Sequence, residues 1–195
     1  MCVYRELFPS SRCLFLYRDV LTVAKSLYRV SMVTPAYRFI YVLGPFSGRA
    51  TKILADAYVV HPTGAYLFNL GVRLDNELMI GVLQFAVTTA GYLDMRRRGI
   101  DISAVRYEDL VARPLDMCRV VLEFCHLPVS LAELAVKAFH VDSQRNSVIA
   151  KSVVGHFKEP QLTPEKKTRV NELLEKFGLP RLGEPDIIEG TLSCC

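Results

Sequence analysis

The sequence has few of the features that mark specialised classes of protein. It contains no internal repeat, no low-complexity tract, no polybasic tail and no run of arginines interleaved with aromatic residues. A formal net charge of +4 over 195 residues is too small to indicate a nucleic-acid-binding surface, although it would help to attract an anionic nucleotide. Because 51% of the residues are hydrophobic, the chain can bury a sizeable core and is not a disordered protein.

Signals for export and for membrane insertion are also missing. The most apolar stretch, Leu78 to Leu93, contains Gln84 and two threonines and is short for a transmembrane helix. Met1 is not followed by the basic and then apolar residues of a signal peptide. The sequence therefore predicts no membrane span, no nucleic-acid partner and a cytoplasmic location.

The cysteines and histidines form no recognisable disulfide framework, metal site or catalytic set. Cys118 and Cys125 are spaced to share one face of a predicted helix, which is not a zinc pattern. Reduced thiols of an intracellular protein are the default interpretation. The terminal Cys194-Cys195 pair is either a lipidation target or a tail without function. No metal is predicted.

The most informative segment lies near the start of the chain. A predicted strand, Arg12–Tyr17, is followed by Arg18 and by a helix that starts at Asp19. Open α/β sheets bind ligands outside the carboxyl ends of their strands, and an arginine beside a helix N-terminus suits a phosphate group. Ser26 lies two helical turns further on and can share that side. The alternative is an exposed arginine, an Asp19 N-cap and a serine on the helix surface.

This spacing resembles the 3′-phosphate-binding segment of sulfotransferases that use PAPS (3′-phosphoadenosine 5′-phosphosulfate). In that family a strand ends in Arg-Asp, and an arginine and a serine eight positions later hold the 3′-phosphate. The resemblance implies that Arg18 and Ser26 bind the 3′-phosphate of PAPS, or of its product PAP. The family usually has Pro or Gly after Arg-Asp, where this chain has Val20.

A second segment, residues 104–114, is similar to the family's strand that ends in Tyr-Glu-Asp and is followed by a proline-initiated helix. The resemblance implies that Tyr107 lies near the adenine of the nucleotide. The alternative is a strand-end aromatic that packs into the core. Glu108 and Asp109 also suit the first turn of a helix, and Pro114 suits a first helical position.

A third segment, residues 150–158, resembles the family's late loop, in which Arg-Lys-Gly precedes Gly-Asp-Trp-Lys. Lys151 falls where the loop's lysine contacts the 3′-phosphate, whereas Ala150 replaces the arginine. Arg145 is a candidate for the missing charge. A solvated loop cation is the alternative for Lys151, and we expect it to contribute less to binding than Arg18.

The family's N-terminal loop for the 5′-phosphosulfate is not found before Arg18. Residues 1–8 leave no room for the strand, glycine-rich loop and helix that would cradle this anion. Residues 39–51 resemble a phosphate loop in composition, but they follow Arg18, whereas the family's loop precedes the corresponding arginine. A plain turn is favoured there, with a permuted anion loop as the alternative. We therefore expect an N-terminally truncated domain that does not transfer sulfate as written, and no catalytic residue is assigned.

Together these segments predict one helix-rich α/β domain over residues 1–195, with an irregular C-terminal tail at residues 178–195. The resemblance implies the three-layer, mostly parallel fold of P-loop NTPases. In the full-length form it implies sulfuryl transfer from PAPS to a hydroxyl or amine of an unidentified acceptor. The alternative is a non-catalytic nucleotide-binding remnant that acts by association, and self-association is left open. The predicted strands are Arg12–Tyr17, Phe39–Leu43 and Ala104–Tyr107, and the predicted helices are Asp19–Ser31, Thr51–Val60, Asp75–Arg98, Pro114–Cys125, Ser130–Phe139 and Pro164–Phe177.

Overall fold

A computed structural model describes residues 11–33, 76–139, 141 and 151–194. The chain divides into two compact units. The sheet unit comprises Met1–Arg18, Gly91–Val141 and Asp186–Cys195, and the helical unit comprises Asp19–Ala90 and Asp142–Pro185. The single domain expected from the sequence stays a prediction.

The described residues form a helix-rich α/β structure, as the sequence predicts. None of the helices in these ranges is long and apolar enough to cross a membrane. In chain order the elements are β1 (Cys13–Tyr17), α1 (Val20–Val33), α2 (Met79–Arg97), β2 (Ile102–Arg106), α3 (Tyr107–Ala112), α4 (Pro114–Phe124), a 3-10 helix (Val129–Leu131), α5 (Ala132–Ala138), α6 (Lys151–Val154) and α7 (Pro164–Lys176).

The sheet unit is built on two parallel strands. β1 pairs with β2 in a register that places Cys13 opposite Ile102 and Tyr17 opposite Arg106. Along its other edge β2 pairs with residues 190–192: the Ala104 N–H donates to the carbonyl of Gly190 at 2.8 Å, and the Ala104 carbonyl accepts from Leu192 at 2.8 Å. Because β1 and β2 are parallel, their carboxyl ends lie at the same edge of the sheet.

Two tyrosines fasten the C-terminal residues to the core of this unit. Tyr17 and Tyr92 are buried together with Ile102, Ala104 and Ile188. The Tyr92 hydroxyl donates to the carbonyl of Glu189 at 2.8 Å, and the Tyr17 hydroxyl lies 3.0 Å from Oγ1 of Thr191. Part of the segment expected to be an irregular tail is therefore tied to the sheet.

In the helical unit, local capping signals define where helices begin and end. The Asp19 carboxylate accepts from the N–H and the hydroxyl of Thr22, at 2.8 and 2.9 Å, and caps α1. The Thr163 hydroxyl accepts from the backbone N–H of Lys166, Pro164 is the first residue of α7, and Gly178 follows its end with φ +65°. These contacts confirm the Asp19 N-cap, which belongs to the alternative interpretation of the Arg18 segment, and the predicted start of α7 at Pro164; α7 ends one residue before the predicted Phe177.

Helices α1 and α2 approach closely at a glycine. A Cβ added to Gly81 would lie 2.4 Å from the Cα of Ala24, which is itself fully buried. Only a residue without a side chain leaves room for this approach. The packing of α2 against α1 thus depends on Gly81.

Several predicted elements differ locally from the structure; the helix predicted over Asp75–Arg98, for example, begins at Met79. β2 ends at Arg106, one residue before the predicted end, because Tyr107 begins the short helix α3. Residues 151–154, expected in a loop, form one helical turn, and the predicted helix Ser130–Phe139 consists of a 3-10 turn followed by α5. The predicted strand Phe39–Leu43, helix Thr51–Val60 and phosphate-loop-like segment 39–51, and also Arg145, lie outside the described residues.

Candidate functional site

Arg18 and Tyr107, two of the predicted nucleotide-binding residues, lie together at the carboxyl edge of the sheet. Each directly follows the last residue of a strand, and the pairing of Tyr17 with Arg106 makes these strand ends neighbours. The guanidinium carbon of Arg18 lies 4.1 Å from the centre of the Tyr107 ring. This is cation–π geometry, which is worth about 0.5–1 kcal/mol at a partly exposed site.

A charged cluster surrounds this pair. The two carboxylate oxygens of Glu108 lie 4.0 Å from Nε of Arg18 and 3.7 Å from Nε of Arg106. Arg106 also pairs with both oxygens of Asp186 through Nη2 at 2.9 Å, and with Asp109 at 3.9 Å. We call these five residues the Arg18–Arg106 cluster; it combines two guanidinium groups with three carboxylates.

Two donors of the cluster are unsatisfied. The Nε atoms of Arg18 and Arg106 are buried and have no hydrogen-bond partner in the part of the chain that the structure describes. Their separations from Glu108 permit an ion pair but exceed the length of a hydrogen bond. A buried unpaired donor costs about 1–3 kcal/mol, and more when it is charged, so an oxyanion that reached these atoms would gain this energy.

The Arg106 guanidinium is held in its charged form. Burial lowers its pKa, but the nearby Asp186, Glu108 and Asp109 carboxylates outweigh this effect and raise the pKa above its ordinary value. The cluster therefore places the charged Arg106 guanidinium at the same edge of the sheet as the Arg18 guanidinium. Planar guanidinium groups recognise phosphate and sulfate through paired N–H donors.

The two other predicted site residues, Ser26 and Lys151, lie in the helical unit. Ser26 is half-buried on α1. Lys151 is the first residue of α6, and α6 packs against α1. The structure thus brings the two elements that carry these residues into contact, while their roles in phosphate binding stay predictions.

Sequence reasoning missed Arg106 and Asp186. Arg106 carried a signal, since it is the one charged residue of an otherwise small or apolar strand and occupies its carboxyl end. No local pattern pointed to Asp186, because its partner Arg106 is 80 residues away in the sequence and its own segment was expected to be irregular.

The Arg18–Arg106 cluster thus combines guanidinium and carboxylate groups beside the aromatic ring of Tyr107. Among the described residues, no group of three or more histidines, cysteines and carboxylates could hold a metal ion. Comparisons of the chain with protein-family models, with curated proteins and with solved structures found no match. The functional interpretation consequently depends on the sequence motifs and on the geometry of this edge.

Proposed function

We propose that this chain binds PAPS or PAP at the carboxyl edge of β1 and β2 and is a sulfotransferase-like protein. The observation that carries the proposal is the contact between the Arg18 guanidinium and the Tyr107 ring at neighbouring ends of parallel strands. Ligands of open α/β sheets bind at this edge. The sequence motifs around both residues resemble those of PAPS-dependent sulfotransferases.

A 3′-phosphorylated adenine nucleotide matches this pair chemically. Its phosphate oxygens accept charge-assisted hydrogen bonds from an arginine, and its purine offers an apolar face to an aromatic side chain. Because Arg18 lies against the Tyr107 ring, one ligand can reach both side chains. The pairing thus supports Arg18 as the phosphate contact and Tyr107 as the adenine contact.

The proposal extends to the fold and the reaction. In it, β1 and β2 belong to a larger, mostly parallel sheet with the three-layer arrangement of P-loop NTPases. The reaction in this proposal is transfer of a sulfuryl group from PAPS to a hydroxyl or amine of an acceptor. The parallel pairing of β1 with β2 supports the first part, and the resemblance of the three sequence segments supports the second.

The test is calorimetric titration of PAP into the parent protein and into the Arg18→Ala variant. A charge-assisted phosphate contact is worth about 1.5–3 kcal/mol, so we expect Arg18→Ala to weaken PAP binding at least tenfold. Arg119→Ala is the matched control, because it removes the same charge from an exposed side chain of the same unit that pairs only with Asp116 at 3.8 Å among the described residues. We expect this control to bind PAP as the parent does.

A second titration with 5′-AMP, which lacks the 3′-phosphate, identifies the group that Arg18 binds. The parent should prefer PAP to 5′-AMP, and Arg18→Ala should remove most of this preference. Equal PAP affinities of Arg18→Ala and the parent would exclude Arg18 as the phosphate contact and would overturn the proposal.

A further inference from the structure

The Arg106 guanidinium lies in the same cluster as Arg18, although no sequence motif assigns it a role. It is the last residue of β2 and directly precedes Tyr107. Its Nη2 is 2.9 Å from both carboxylate oxygens of Asp186, which comes from the C-terminal segment of the sheet unit. Arg106 is thus placed to serve the ligand that Arg18 and Tyr107 recognise.

The position of Glu108 shows that one oxyanion can approach both arginines. Its two carboxylate oxygens face different partners, one towards Nε of Arg18 and the other towards Nε of Arg106. A phosphate group has oxygens with similar spacing and carries more negative charge than a carboxylate. Both Nε donors are buried without a hydrogen-bond partner in the described residues, so each has a donor to offer.

We propose that Arg106 is a second phosphate-binding residue of this site and that Asp186 competes with the phosphate for it. This inference depends on the proposed PAP-binding function and adds a residue and an internal competitor to it. A phosphate held side-on by an arginine uses Nε together with Nη2, and the Asp186 carboxylate already engages Nη2 of Arg106. Binding therefore requires the phosphate to take over this donor, and the affinity for PAP is set below the value that two unopposed arginines would give.

Two substitutions with opposite effects follow from this competition. Asp186→Asn removes the competing charge but keeps the size of the side chain, so it should strengthen PAP binding about three- to tenfold. Arg106→Gln removes the cation and should weaken PAP binding about tenfold or more. In the Arg106→Gln background, Asp186→Asn should not change PAP affinity further, because the Arg106 guanidinium for which Asp186 and the phosphate compete is absent.

The experiment is calorimetric titration of PAP, at one fixed ionic strength, into the parent, both single variants and the double variant. Glu189→Gln is the matched control for Asp186→Asn, since Glu189 is on the same segment and pairs instead with Arg96 at 3.3 Å. It changes the net charge by the same amount and should leave PAP affinity unchanged. Near-ultraviolet circular dichroism of each variant establishes that the tyrosine core of the sheet unit is intact.

The outcomes separate this inference from the proposed function. If PAP binds through Arg18 while Asp186→Asn and Glu189→Gln give the parent affinity, Arg106 and Asp186 only brace the C-terminal segment and the inference is wrong. If Asp186→Asn weakens binding, the inference is also wrong, because the carboxylate then supports the site. If the parent does not bind PAP at all, the proposed function fails and this inference fails with it. Should Arg106→Gln not fold, the PAP affinities of Asp186→Asn and Glu189→Gln are the test. A higher affinity of Asp186→Asn supports the inference, and equal affinities contradict it.

Discussion

Each of the two compact units is stabilised internally by a different kind of contact. In the helical unit, hydrogen bonds between residues close in sequence, such as Asp19 and Thr22, cap the helices and fix where they begin. The apolar faces of these helices are buried. In the sheet unit, the main contacts join distant segments, and the hydroxyls of Tyr17 and Thr191 meet across 174 residues. Local signals thus shape the helices, whereas the edge that carries the Arg18–Arg106 cluster depends on long-range pairing.

The largest effect should come from a substitution at the junction of the sheet with its C-terminal segment. Gly190 has φ +80°, and an added Cβ would lie 2.5 Å from Nη1 of Arg96 and 2.7 Å from the Tyr92 hydroxyl. Both a strained backbone and a steric clash oppose a side chain there, so Gly190→Ala should destabilise the protein by about 3 kcal/mol. Urea unfolding followed by circular dichroism measures this loss.

Gly183→Ala separates the two causes. Gly183 also has a positive φ, +94°, but a Cβ there would meet nothing within 4 Å among the described residues. It should cost only about 1 kcal/mol, the backbone part of the penalty. Equal losses for the two variants would show that the Arg96 and Tyr92 side chains move aside and that the clash adds nothing to the backbone penalty.

A smaller effect is expected where α1 and α2 approach in the helical unit. Gly81→Ala should destabilise the protein by about 2 kcal/mol, because the new methyl would meet the backbone of Ala24 rather than a movable side chain. Gly91→Ala, on the same helix with nothing within 4 Å among the described residues, should instead stabilise by up to about 1 kcal/mol through helix propensity. Thermal unfolding of the pair checks the contrast, and two changes of the same sign would refute it.

A change confined to the Arg18–Arg106 cluster should affect binding more than stability. Glu108→Gln removes the negative charge that faces both Arg18 and Arg106, so we expect PAP to bind about threefold more tightly. The melting temperature should change little, because these partly exposed charge pairs contribute modestly to folding. Weaker PAP binding by Glu108→Gln would mean that the carboxylate orients the arginines rather than competing for them.

The smallest effect concerns an ion pair of the helical unit, Glu77 with Lys166. Burial raises the pKa of Glu77, but the hydrogen bond and charge of Lys166 outweigh this and lower the pKa below its ordinary 4.5. A carboxyl whose folded pKa is depressed stabilises the protein above its unfolded pKa, and this contribution is lost as the pH falls through the folded pKa.

Urea unfolding at pH 7 and at pH 3 measures this contribution. Glu77→Gln should cost about 0.5 kcal/mol at pH 7, since the pair is partly exposed, and less at pH 3. Glu172→Gln, which removes an exposed carboxylate paired with Arg169, serves as the control and should change stability less at pH 7. A cost for Glu77→Gln that does not fall with pH would contradict the assignment.

The elements that were predicted well are those with local determinants. The Asp19 cap, the Thr163-Pro164 start and the Gly178 stop place α1 and α7 within two residues of their predicted limits, because each signal acts on the neighbouring turn. β1 was predicted from an apolar run that stops at Arg18 and Asp19, and β2 from the resemblance of its segment to a strand that ends in Tyr-Glu-Asp. Parallel pairing then places Arg18 beside Tyr107, whereas their roles in nucleotide binding stay predictions.

What the sequence did not reveal depends on contacts between distant residues. Nothing near Asp186 indicates that it meets Arg106, and nothing near Gly190 indicates a bond to Ala104. The helix α3 was missed for a different reason: Glu108 and Asp109 were noted as suited to the first turn of a helix, but the helix was predicted to begin only at Pro114, whereas a separate short helix begins at Tyr107. Long-range pairing and the choice between adjacent helix starts are both decided by the folded environment.

The pairing of Ala104 with residues 190–192 has a consequence for the order in which the protein can fold during synthesis. The ribosome makes these residues after every other described segment of the sheet unit, and after all of the helical unit. The helical unit can therefore acquire its contacts while the chain is still growing. Tyr17 and Tyr92, in contrast, can bond to Thr191 and Glu189 only after those residues have been synthesised. Closing contacts of such large sequence separation is slow, so completion of the sheet unit should be the late step of folding.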